Sequence, residues 1–137
     1  MVNQSELINL SLEQVAETLG DPTETVFEKM YARFPDLQQF RSEGSEWENY
    51  MMQEILMNFL LFAEDPDTAL CTIRDMLSHH RLIGVAPDIF KGMYHVLFET
   101  FQPAFSGPNR ADIESAWRST ITTINGLLDR IEASGAY

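Results

Sequence analysis

Apolar residues in this chain recur at three- and four-residue steps and show no strand-like alternation. Trp47, Met51, Met52, Ile55, Leu56, Phe59 and Leu60 form one such series. Phe90, Met93, Leu97, Phe101 and Phe105 form a second, and Ile113, Ala116, Trp117, Ile121, Ile124, Leu128 and Ile131 a third. That spacing lines one face of an α-helix, whereas a half-buried strand needs a period of two. The chain is therefore expected to be all-α, with wide apolar stripes packed helix on helix.

Local signals divide the chain into helices over about 4–19, 22–34, 46–63, 66–81, 87–105 and 110–133, with a short turn at 35–40, bounds soft by a few residues. Asp21-Pro22-Thr23-Glu24 puts a capping carboxylate, a first-turn proline and an acidic residue in order. Ser45-Glu46-Trp47-Glu48 reads as a capping box, and Asp65-Pro66 repeats the cap-then-proline signal. Gly20, Gly44, Gly84 and Gly107 fall in the breaks. The helices are unequal and the breaks irregular, which suits pairwise packing at varied angles better than a symmetric four-helix bundle.

A length of 137 residues fits a single domain over 1–137. Nine Lys and Arg against 21 Asp and Glu leave a net charge of -12. That balance argues against nucleic acid and against anionic membrane surfaces as partners. The start, MVNQSELINL, lacks a basic and apolar leader, and the longest apolar stretch is far too short to cross a bilayer. One cysteine, Cys71, excludes an internal disulfide framework and any multi-cysteine metal site. A cytoplasmic location is the expectation. Neither a nucleophilic triad nor a glycine-rich phosphate loop is visible.

His80 is the residue with chemistry to explain. It lies on a stripe with Ala69, Ile73, Met76 and Leu77, so its ring must find a partner. A carbonyl, a water or a metal could supply one. His79 is on a different face and reads as solvent-directed, and His95 reads as a hydrogen-bonding group at a helix contact.

Four stretches carry a resemblance. They are Val26–Phe40 (VFEKMYARFPDLQQF), His80–Val85 within HRLIGVAP, Pro87–Phe101 (PDIFKGMYHVLFETF) and Ile113–Trp117 (IESAW). In order and spacing the chain resembles the globin domain of bacterial flavohaemoglobins and single-domain bacterial globins, from about residue 22 to 128. The resemblance implies a globin-like fold of six to eight helices and a haem b whose iron is ligated by His80. It implies cofactor walls from Phe27, Phe40, Met52, Met76, Leu77, Val85 and Phe90, and a diatomic gas (oxygen, nitric oxide or carbon monoxide) as ligand. The second ring nitrogen of His80 would then donate to a backbone carbonyl, with Met76 four residues back as the candidate.

The chain departs from that family at two places. Phe27 stands where a gas-binding tyrosine is usual, and Phe90 where a tyrosine orients the proximal histidine. Glu48 is the distal candidate in a gapless register, with a capping role as the competing one. Asn49 and Gln53 are the other polar possibilities, and Tyr31 reads as core. An apolar distal pocket of Phe27, Phe40 and Met52 is expected to favour carbon monoxide or nitric oxide over dioxygen. Whether the chain is an enzyme stays open: any dioxygenase-type turnover would need a separate reductase, since a chain ending at Tyr137 has no room for one. The alternative is a haem-free globin-like sensory or interaction module, working as a homodimer, with large side chains filling the space beside His80.

Overall fold

The computed structural model describes residues 3–43 and 46–134. Six α-helices account for most of them: α1 Gln4–Leu19, α2 Thr23–Arg33, α3 Glu46–Glu64, α4 Pro66–Leu82, α5 Pro87–Phe101 and α6 Arg110–Ala133. Two 3₁₀ segments, Pro35–Glu43 and Gln102–Ala104, join them, and no strand occurs among the described residues. No helix among them is long and apolar enough to cross a membrane.

The helix starts follow from their caps. Asn3 accepts the Glu6 amide at 2.8 Å, and Asp65 accepts the Thr68 amide at 3.3 Å. Asp21 acts one position off the expected register. It accepts both the Thr23 amide (3.0 Å) and the Thr23 hydroxyl (2.7 Å), and α2 begins at Thr23 rather than Pro22. Those bonds favour the carboxylate, so they hold Asp21 below the usual carboxylate range. The proposed cap Ser45 and the break at Gly44 lie outside the described residues. The expected helix over 87–105 is cut at Phe101, and Gln102–Ala104 continues as a 3₁₀ turn. Pro103 explains the cut, because it has no amide hydrogen and its ring collides with the carbonyl four residues back.

The core is built around Trp117 of α6. Its ring stacks on Phe59 of α3 with centroids 4.4 Å apart, and Phe101 meets it edge-on at 5.5 Å. Its indole Nε1 donates to Ser11 Oγ at 2.9 Å, and Ser11 donates in turn to the Ile8 carbonyl at 2.6 Å. A buried polar chain that is satisfied end to end ties α1 to α6 without a desolvation penalty left over. Helix α3 packs on α1 and α4, α6 on α1 and α5, and α2 on α5. Gly92 permits the last of these contacts, since a Cβ there would stand 2.5 Å from the Phe34 ring.

Candidate functional site: a cavity beside His80

Helices α2, α3, α4 and α5 leave between them a cavity of about 620 Å³. Its position follows from the helix periodicity. On α3 the cavity face is Trp47, Tyr50, Met51, Glu54 and Ile55, one stripe at three- and four-residue steps. On α4 it is Asp75, Met76, His79 and His80. Phe27 of α2, Phe40 of the 3₁₀ segment, and Val85, Phe90 and Tyr94 close it. Most of this wall is apolar, and the volume lies within the range of about 300–1,000 Å³ typical of small-molecule and cofactor sites.

His80 is held in one orientation. Its Nδ1 lies 2.6 Å from the Met76 carbonyl, so Nδ1 carries the proton and donates. That tautomer leaves Nε2 as the lone-pair nitrogen, with no protein partner among the described residues. The Phe90 ring stands edge-on to the imidazole at 5.2 Å. Burial lowers the His80 pKa, and the His79 charge adds to this. The Met76 bond and Glu54 oppose it without cancelling it. The ring is therefore neutral over more of the acid range than an ordinary histidine, which is the form that binds a metal. The turn that follows is closed by the Val85 amide on the His80 carbonyl at 2.9 Å, and Gly84 supplies its positive φ of 90°.

The structure gathers Phe27, Phe40, Met76, Val85, Phe90 and His80 around one space. Met52 and Leu77 are not among its walls. They are 3% and 2% exposed and belong to the core cluster. The reason is rotational: each step along a helix turns by about 100°, so Met51 takes the cavity side and Met52 the core side. The same rotation divides the stripe on α4, where Ala69, Ile73 and Leu77 are buried and Met76 and His80 reach the cavity. Glu48 also misses the cavity and accepts a hydrogen bond from the buried Tyr31 hydroxyl at 2.9 Å. Asn49 and Gln53 are exposed. His79 is exposed but stands at the cavity wall, and His95 meets Asn125 of α6 at 3.3 Å.

Two polar groups at the wall escaped the sequence reading. Tyr94 is 2% exposed, lines the cavity from α5, and its hydroxyl has no hydrogen-bond partner among the described residues. Burial pushes its pKa well up, so it stays a neutral donor. Trp47 also lines the cavity, edge-on to Phe27 at 5.3 Å, and its Nε1 is buried without a partner. Nothing in the three- and four-residue pattern sets these two apart from core aromatics. Tyr50 and Glu54 also line the cavity, and the Glu54 carboxylate holds the Tyr50 phenol above its usual range. No cluster of three or more metal-ligating side chains occurs among the described residues. No family model, curated protein or solved structure matches this chain.

Proposed function

We propose that this is a haem-binding, globin-like domain that takes up a diatomic gas, with His80 as the axial ligand to the iron. The observation that carries the reading is the His80–Met76 bond of 2.6 Å beside an apolar cavity of about 620 Å³. A histidine that ligates a metal through one nitrogen is fixed through the other, and here that second bond is already in place. Haem, held by His80, would supply an iron able to bind a small gas. The chain supplies the rest. Phe27, Phe40, Met76, Val85 and Phe90 offer the flat apolar walls that a porphyrin needs. His80 is kept neutral by burial, and Tyr94 offers one hydroxyl to the occupant. The haem-free alternative needs large side chains in the space beside His80. The open cavity there favours the first reading.

Titration of the purified chain with hemin tests this. A one-to-one Soret band that is lost in His80→Ala, together with a hemin-dependent rise in melting temperature, is the expected result. An absent band, or one indifferent to His80→Ala, overturns the proposal.

A further inference from the structure

The other side of α4 carries a second feature. A recess of about 390 Å³ lies between α4 and α6 and is lined by Arg74 and Arg81 of α4 and Arg130 of α6. Ser78 stands between the two arginines of α4, and Leu77 and Leu127 are among the apolar residues of the wall. No carboxylate lines it. In a chain with 21 acids and nine Lys and Arg, that is an unusual concentration of one sign.

Four other cations behave differently. Arg33 pairs with Glu99, Lys91 with Asp129 and Glu132, and Arg110 and Arg118 with Glu114. Arg74, Arg81 and Arg130 have no ion-pair or hydrogen-bond partner among the described residues. The sequence withholds one as well. The positions three and four residues away from these arginines hold Leu70, Cys71, Leu77, Ser78, Gly84, Val85, Gly126, Leu127, Ala133 and Ser134, none of them acidic. Arg81 and Arg130 sit in the last turns of their helices, where a cation complements the helix dipole. Arg74 lies in mid-helix, and the dipole gives no reason for it.

We propose that this recess binds a small, multiply charged oxyanion of the phosphate or diphosphate class. Guanidinium groups present forked donors that match such oxygens in pairs, and three exposed arginines with no ion pair among the described residues line this one recess. The ligand is small and soluble, because a net charge of -12 repels nucleic acid and anionic membranes as extended surfaces. The size of the recess also suits a small molecule. This inference does not rest on the haem reading, since the recess and the His80 cavity are lined by different residues.

The test is calorimetric titration of the whole chain with inorganic pyrophosphate at low ionic strength, with melting temperature as a second readout. Wild type is expected to bind one equivalent and melt higher. The double variant Arg74→Gln/Arg130→Gln is expected to bind at least tenfold more weakly. Arg74→Lys, which keeps the charge and loses the fork, should fall between them, and Arg118→Gln should match wild type. Circular dichroism confirms that each variant is folded. Absence of binding to wild type, equal binding by the double variant, or reproduction of the melting shift by chloride at matched ionic strength overturns the proposal.

Discussion

Removing the hydroxyl of Tyr94 should stabilise the ligand-free protein, the reverse of what a buried truncation usually does. Tyr94 is 2% exposed and its hydroxyl lacks a partner among the described residues. A buried polar group left unpaired costs about 1–3 kcal/mol. The hydroxyl borders a cavity large enough for water, which returns part of that cost. The ring stays in Tyr94→Phe, so its packing on Phe59 and Phe90, both with centroids 5.9 Å away, is kept. The net expectation is a gain of about 0.5–1.5 kcal/mol, the unpaired-group cost less its hydration. Urea denaturation of the apoprotein, read by circular dichroism, gives the difference directly. The midpoint should rise without a change in slope. A loss of 1 kcal/mol or more in Tyr94→Phe would show that the hydroxyl is satisfied in the folded protein and would refute the reasoning.

Three further outcomes follow from the same geometry. The folded-state pKa of His80 lies below its unfolded value of about 6.5, so the folded protein binds fewer protons below that pH. Its contribution is complete above about pH 6.5 and is lost as pH falls toward the folded pKa. Wild type should therefore lose melting temperature relative to His80→Gln between pH 7.5 and 5, and parallel curves would contradict the assignment. Gly92→Ala should cost about 1–2 kcal/mol despite the better helix propensity of alanine, because its Cβ would stand 2.5 Å from the Phe34 ring. Phe34→Leu in the same chain should recover most of that loss in urea melts. Trp117→Phe should cost about 2–3 kcal/mol, from the lost bond to Ser11 and the smaller ring. A cost below 1 kcal/mol would remove Trp117 from the centre of the core.

Much of this fold is written in local chemistry. The stripes of α5 and α6, the Asp65 cap and the turn after His80 are short-range features, and each stands where its residues place it. The differences between pattern and structure have local causes too. Met52 and Leu77, which the resemblance implies as cofactor walls, lie in the core instead, because a wide apolar stripe does not say which part of it faces a void and which faces a neighbour. Glu48 was a distal candidate until the fold brought Tyr31, 17 residues away in sequence, to within 2.9 Å of it. The polar atoms of Tyr94 and Trp47 are not legible in the sequence, because an aromatic on an apolar face is indistinguishable from core by spacing alone. The arginine recess depends on the meeting of α4 and α6, which no local pattern encodes. The His80 hydrogen bond was legible because the helix itself places Met76 four residues away.

The most direct measurement is resonance Raman spectroscopy of the reduced, haem-loaded protein, aimed at the iron–imidazole stretch. If His80 holds the iron, the band shifts when histidine is labelled with ¹⁵N, is absent in His80→Gly, and returns when free imidazole is added. A band that survives His80→Gly, or a protein that takes up no haem at all, would contradict the account.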